Sequence, residues 1–405
     1  MTIAAVSSDP TTLRQPRNRD VSIDYLRTTL TLMVIAHHSC LAYTNFASFD
    51  KQNIFRSTAP VVDVMRWGFF DYAENFNDVF FMSLMFFVSG LFVYPALRRH
   101  GTLDFIRDRF LRLGLPFAFA VLFLMPIAYY ASWQMTGRST GFLDFYQRLA
   151  SGGFAAGPPW FIWVLLFFDV LLALILLPLQ RFMPFAERAV LKLERHPLAA
   201  FAAIYLCSAI VYLPLLKIYG FGAWTNLFTS PFSFQICRIG LYALWFTFGF
   251  LIGAPGFQQD LLARDGALAR RWPFWILRCF LAYNVLVGLP RLSIIRQLPA
   301  VQQGALEATL WVLSCAASCF GFLALFRGLR LTPSRWITTW MNSLSRCAYG
   351  MYLVHYVFVT WTQRLVLDLP IHAVIKFAFV FLAATFLSWL TTQAALRIPK
   401  VKSIL

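Results

Sequence analysis

Apolar runs of about 20 residues, the length that crosses a ~30 Å hydrocarbon layer as a helix, recur along the whole chain with short polar connections between them. They predict ten spans, drawn at 24–45, 78–97, 113–133, 160–180, 198–216, 234–253, 273–290, 306–326, 346–366 and 372–394. Lipid offers no partner for unpaired backbone groups, so runs of this kind close their hydrogen bonds internally as helices. The expected fold is all-α, a polytopic integral membrane protein with about ten transmembrane helices in one bundle. Residues 1–20 are polar, carry Arg14, Arg17 and Arg19, and read as a disordered basic cytoplasmic tail; 21–397 form the helical domain and 398–405 a second cytoplasmic tail. The first apolar run is too long for a cleaved leader, holds two histidines and lacks a small-residue cleavage site, so it reads as span one.

That first run, DYLRTTLTLMVIAHHSCLAYTN, carries charge and imidazole where a membrane segment normally carries neither. Counted from Arg27 at ~100° per residue, Asp24, Thr31, His38 and Asn45 fall at about 60°, 40°, 20° and 0°, one narrow polar stripe. His37 falls at about −80°, off the stripe, so the adjacent histidines are not equivalent. An ionisable residue at the centre of a span costs roughly 2.5–3.5 kcal/mol on insertion scales and normally faces a protein interior or an aqueous cavity. An aligned set of them marks a candidate site.

Composition agrees with a membrane protein: of 405 residues, 59% are hydrophobic and only 13% charged, and the mean hydropathy is +0.63. The net charge of +17 does not point to nucleic acid, because Lys and Arg sit in short loops between apolar runs. They divide by side. Clusters such as Arg98, Arg99, Arg107, Arg109 and Arg112 share the side of the N-terminus, while Lys51, Arg56, Arg66, Arg138, Arg148, Arg291 and Arg296 lie scattered on the other. The positive-inside rule then makes the basic loops and both termini of this multi-pass protein cytoplasmic. The seven cysteines form neither a disulfide framework nor a zinc spacing, and no metal is expected.

Depth assigns candidate chemistry. Eleven residues from Arg27 to His38 rise about 16.5 Å, which puts His38 near mid-membrane when Arg27 marks the cytoplasmic boundary. A donor from the cytoplasm and an acceptor from outside meet at such an imidazole, which suits a general base for acyl transfer to a hydroxyl. Asp169 matches that depth in another span and is expected either to orient His38 or to pair with an arginine. Arg109 and Arg112, three residues apart in RFLRLGLP, match the phosphates of a donor such as coenzyme A. His355, in SRCAYGMYLVH, is a second imidazole at mid-span. Ser89 is expected to bond back to its own helix rather than act as a nucleophile. The 46–77 segment mixes aromatics with Asp63, Asp71 and Glu74, a pattern suited either to a carbohydrate or to an interfacial anchor, and Glu74 joins the candidate residues.

Arg27, ten intervening residues and His38 resemble the signature of acyltransferase family 3, the membrane O-acyltransferases. The resemblance continues through MFFVSGLF at Ser89 and Gly90, RFLRLGLP at Arg109 and Arg112, and SRCAYGMYLVH at His355. The long loop after span one and PPWFIWVLL are similar to the branch containing the periplasmic glucan succinyltransferase, although Pro158 and Pro159 stand where that branch tends to have His. The resemblance implies a ten-helix enzyme that moves an acyl group of acetyl or succinyl type from cytoplasmic acyl-CoA, a co-substrate and not a bound cofactor, to an extracytoplasmic carbohydrate. It also implies that His38 is catalytic and that Arg27, Arg109 and Arg112 are functional arginines. The rival class is a transporter or flippase of a carbohydrate or lipid-linked substrate without acyl-transfer chemistry, whose usual repeats and broken helices the sequence does not display.

Overall fold

The computed structural model describes residues 21–179, 188, 192, 195–225, 230–254, 260–329 and 334–405. The tail expected over 1–20 lies outside the described residues. Among the described residues the regular structure is helical, apart from one isolated bridge between Trp224 and Gln235. Ten long helices stand at the ten predicted positions: α1 Val21–Leu41, α2 Gly68–Gly90, α3 Thr102–Gln134, α4 Trp160–Leu179, α5 Pro197–Tyr219, α6 Ile236–Gly253, α7 Trp272–Gly288, α8 Ala300–Gly328, α9 Arg335–Val366 and α10 Ala373–Ala395. Seven of them, α2, α3, α5, α6, α7, α8 and α10, are long and apolar enough over described residues to cross a membrane. The protein is an all-α, multi-pass membrane protein.

Two boundaries differ from expectation in ways that matter. α1 ends at Leu41 in a turn where Tyr43 N–H donates to Cys40 O, so Asn45 leaves the polar stripe. It is exposed, and its backbone N–H and Nδ2 donate to Asp71 at 2.8 and 2.7 Å. α2 starts at Gly68, ten residues before the predicted 78, because the first turns of the helix are polar and hydropathy reads them as loop. The intervening 42–67 segment is tied down by Asp63, whose carboxylate lies 2.6 Å from Lys376 Nζ in an ion pair buried to 1% and 0% exposure. Lys376 also donates to Leu367 O, so one ammonium holds this segment and the α9–α10 connection together. At the tip of the segment Asp50 accepts N–H bonds from Asn53 and Gln52, which hold its carboxyl below the ordinary range.

α3 runs through two prolines by widening. Leu115 N–H reaches back to Phe110 O, just before Pro116, and Met125 N–H reaches back to Ala120 O, just before Pro126. These five-residue turns relieve the clash of each proline ring with the carbonyl four residues earlier. The Arg112 carbonyl that Pro116 cannot satisfy accepts the Tyr349 hydroxyl from α9 at 2.8 Å, a tie between the two helices that line the site.

Close approach of α2 and α6 rests on small residues. A Cβ on Gly249 would stand 2.0 Å from Phe87 O, one on Gly253 2.2 Å from Leu91 O, and one on Gly90 2.2 Å from Phe246 O. This is the small-residue packing that lipid, which supplies no hydrophobic drive between helices, makes necessary. α1 lies between α2 and α9, so its opposite flanks meet different partners.

Candidate active site

Two cavities lie along α1. The first, about 300 Å³, is lined by Arg27 and Thr31 of α1, Met85, Val88 and Ser89 of α2, Arg109 and Arg112 of α3, Phe161, Leu165 and Asp169 of α4, and Tyr349 and Tyr352 of α9. Ile404 and Leu405, at the end of a short helix Pro399–Ile404, close part of it. The second, about 370 Å³, is lined by Val34, His37 and His38 of α1, Asp78 of α2, Tyr129 of α3, Arg238 and Tyr242 of α6, Tyr352 and Tyr356 of α9, and loop residues including Phe55, Pro158 and Trp224.

In the arginine cavity, Arg27, Arg109 and Arg112 converge. Arg109 Nε lies 3.3 Å from Asp169 Oδ2, with the carboxylate side chain only 2% exposed, and its guanidinium sits over the Phe105 ring at 4.8 Å. Arg112 instead bonds Asp108 at 2.8 Å, both side chains about half exposed at 53% and 49%. Arg27 lies over the Phe92 ring at 5.8 Å. Of the two roles expected for Asp169, orienting His38 or pairing with an arginine, the geometry matches the second: its neighbour is Arg109, in the other cavity. Matched depth is a one-dimensional coordinate, and two residues at one depth can still face different cavities. Asp169 Oδ1 and Arg109 Nε are buried without a hydrogen-bond partner, so the pair retains bonding capacity toward a ligand. Ser89 Oγ donates to Met85 O at 2.8 Å, the expected back-bond. Asp24 lies apart from this group, in a surface cleft with Thr339, Asn342 and Arg346.

The histidine cavity holds a cluster that no spacing rule displays. His38 stacks on His355 with centroids 5.3 Å apart and meets Tyr356 edge-on at 5.0 Å. His37 meets His38 edge-on at 5.1 Å, but turns toward α2, where its Nε2 lies 3.7 Å from Glu74 Oε1. Both histidines thus line the same cavity while facing different helices, His38 toward α9 and His37 toward α2, in keeping with wheel angles about 100° apart. His38 Nδ1 is buried without a partner, and Gln363 Nε2 donates to the His38 carbonyl at 2.9 Å. His355 Nδ1 lies 2.7 Å from Tyr352 O; a carbonyl accepts only, so Nδ1 carries the proton and the unpartnered Nε2 carries the lone pair.

In the same cavity, Arg238 makes a two-pronged bond to Asp78, with Nη1 2.8 Å from Oδ1, and is clamped between Phe221 and Trp311 at 4.7 and 4.8 Å. Sequence reasoning missed this pair, although an arginine inside the predicted span 234–253 was the available signal; Lys376 inside 372–394 was another. The 46–77 aromatics are mostly spent elsewhere. Tyr72 and Phe76 pack on Tyr283, while Asp63 and Asp71 hold Lys376 and Asn45. Of that group only Phe55 lines the histidine cavity. The segment is tethered at Asp63 and Asp71 and forms part of the wall of the histidine cavity, while Phe46, Trp67 and Phe69 stay exposed. Among the described residues no cluster of His, Cys, Asp and Glu could hold a metal ion.

No curated protein and no solved structure matches the chain. The family model described as an acyltransferase domain, that of acyltransferase family 3, matches residues 20–393, nearly the whole chain. A carrier without chemistry is not the class this match supports. With a polar stripe shared between two cavities of a helical membrane bundle, the chain belongs to acyltransferase family 3 and is a membrane acyltransferase.

Proposed function

We propose that the protein transfers an acyl group of acetyl or succinyl type from acyl-CoA, held at the arginine cavity, to a hydroxyl of a carbohydrate acceptor in the histidine cavity. The observation that carries this reading is that Arg27, Arg109 and Arg112 line one cavity, His38 lines the next, and Tyr352 belongs to both. Guanidinium groups match the diphosphate of the donor by two-pronged hydrogen bonds. The histidine cavity is lined by imidazoles and by Trp160, Trp224 and Tyr242, and aromatic faces suit the apolar faces of a sugar ring. The likeness of PPWFIWVLL to the glucan succinyltransferase branch supports a glucan among acceptor candidates. By the positive-inside rule the arginine cavity faces the cytoplasm of a bacterial inner membrane and both termini lie there.

The neutral His38 imidazole takes the proton of the acceptor hydroxyl as its oxygen attacks the thioester carbon. The tetrahedral intermediate then collapses to the ester, and the departing thiolate recovers the proton from the imidazolium. His355, whose Nε2 lone pair is unpartnered, stands beside His38 ready to accept a hydrogen bond from a bound hydroxyl, and Glu74 lies 3.7 Å from His37. No bound cofactor takes part, since acyl-CoA is consumed.

The test is acyl transfer from labelled acyl-CoA by single variants at equal membrane levels. A positioned general base contributes 10²–10⁴-fold, so His38→Ala should lose roughly 3–5 kcal/mol of transition-state stabilisation. His37→Ala should lose far less. A dead His37→Ala beside an active His38→Ala would transfer the role to the imidazole that Glu74 backs. Mass spectrometry of periplasmic and surface glycans with and without the protein identifies acyl group and acceptor together.

A further inference from the structure

Tyr352 is a wall of both cavities, and its surroundings differ on the two sides. Phe161, which meets the Tyr352 ring edge-on at 5.9 Å, lines the arginine cavity. Pro158, whose carbonyl accepts the Tyr352 hydroxyl, lines the histidine cavity. The residue is 4% exposed, and its own carbonyl receives the His355 N–H. The phenol therefore stands between the arginines and the imidazoles, bonded at its tip to the loop that opens α4. That loop is held in turn by Gly157, whose φ of +54° belongs to the left-handed region and whose absent Cβ would stand 2.6 Å from Met125 Sδ.

We propose that the Tyr352 ring is the gate between the two cavities and sets the largest acyl group that can pass from the donor to His38. This rests on the acyl-transfer reading above. A thioester anchored by its phosphates among Arg27, Arg109 and Arg112 reaches an acceptor at His38 only by displacing the ring. One neutral hydrogen bond, to the Pro158 carbonyl, and two ring contacts, with Phe161 and His355, hold it, a restraint that a bound ligand can displace. A short acyl group needs only a small swing about the side-chain torsions. A long one needs space that the ring, backed by Phe161 and the Pro158 loop, does not yield. When closed, the ring also keeps solvent in the arginine cavity away from the imidazoles, where water would compete with the acceptor for the thioester.

Two variants separate the ring from its hydroxyl. Tyr352→Ala removes the partition, whereas Tyr352→Phe keeps it and cuts only the bond to Pro158. With acetyl-, butyryl- and octanoyl-CoA as donors, Tyr352→Ala should raise the octanoyl-to-acetyl ratio of kcat/KM by about tenfold or more, the scale on which a pocket discriminates added methylenes. Tyr352→Phe should leave that ratio within about twofold of the parent, since the hydroxyl does not set the bulk. A second measurement does not depend on catalysis. Ser89→Cys puts a thiol in the arginine cavity, and a small methanethiosulfonate added from the face on which the histidine cavity opens, read at that position by mass spectrometry, reports passage. Labelling should be slow with Tyr352 or Tyr352→Phe and fast with Tyr352→Ala. Equal labelling with and without the ring, or an unchanged acyl preference in a well-inserted Tyr352→Ala, overturns the gate. Absence of transfer from any acyl-CoA by the parent protein would sink the acyl-transfer reading instead and leave the labelling rates to decide the gate. If Tyr352→Ala fails to insert, Tyr352→Leu, which keeps an apolar side chain but no ring, answers both measurements.

Discussion

Arg109 and Arg112 sit three residues apart and line one cavity, yet their removal has different expected consequences. Asp169, 2% exposed, has Arg109 as its partner. Arg109→Ala strands that carboxylate in the bundle, a loss of the order of 3–5 kcal/mol for a broken buried pair, and should lower the denaturation temperature in detergent. Asp169→Asn in the same chain should recover most of that loss, because the stranded charge is gone. Arg112 and Asp108 are about half exposed, at 53% and 49%, and such a pair is worth about 0–1 kcal/mol. Arg112→Ala should therefore leave stability nearly unchanged and weaken acyl-CoA binding, with Arg112→Lys rescuing only partly because the planar fork is lost. Unchanged donor affinity in Arg112→Ala would count against phosphate binding there. The candidate residues themselves were readable one by one in the sequence. Their partners were not, because Asp169, Arg109, Glu74 and His37 meet across helices.

The helices follow from local chemistry, and their spacing from a few small side chains. α2 and α6 approach until carbonyls of one helix touch the Cα positions of the other, with Gly90, Gly249 and Gly253 at the contacts. Gly249→Val has to displace the Phe87 carbonyl, which a Cβ would meet at 2.0 Å, so the helices must separate. Folded protein in the membrane and its resistance to detergent denaturation should both fall sharply. Gly304→Ala is the control: nothing lies within 4 Å of its Cβ position in α8, so the change should be neutral or stabilise by about 0.5–1 kcal/mol. Equal tolerance of both changes in a thermal-shift series would refute the close-contact account. The widened turns of α3 belong to the same scale. Pro116 and Pro126 advertise a disturbance in the sequence, but whether a helix kinks, breaks or widens depends on what receives the freed carbonyl. Here the Tyr349 hydroxyl does so for Arg112.

At the scale of the whole molecule, the proposed acyl transfer across two cavities predicts that donor and acceptor arrive from opposite membrane faces. In vesicles of defined orientation, impermeant acyl-CoA should support transfer only from the face that carries the basic connections. Transfer from either face at similar rates would contradict the arrangement. The long 42–67 segment bears on the acceptor side, since Ile54, Phe55 and residues Ser57 to Pro60 form part of the histidine cavity while the buried Asp63–Lys376 pair anchors the segment to α10.

Hydropathy alone determined the number, order and approximate limits of the ten helices, because burial in lipid acts on composition and needs no knowledge of neighbours. The wheel angles of α1 likewise placed Arg27, Thr31 and His38 on one face and turned His37 to another, since helix geometry is periodic along a single chain. Periodicity failed where the helix stopped, at Leu41, and Asn45 went with it. Only the tertiary structure decided that Asp169 answers Arg109, that His355 stacks on His38, that Arg238 pairs with Asp78, and that Tyr352 borders both cavities. Each of these is a meeting of side chains from different helices, set by rotation and lateral position in the bundle, and those are coordinates that a one-dimensional pattern of polarity does not contain.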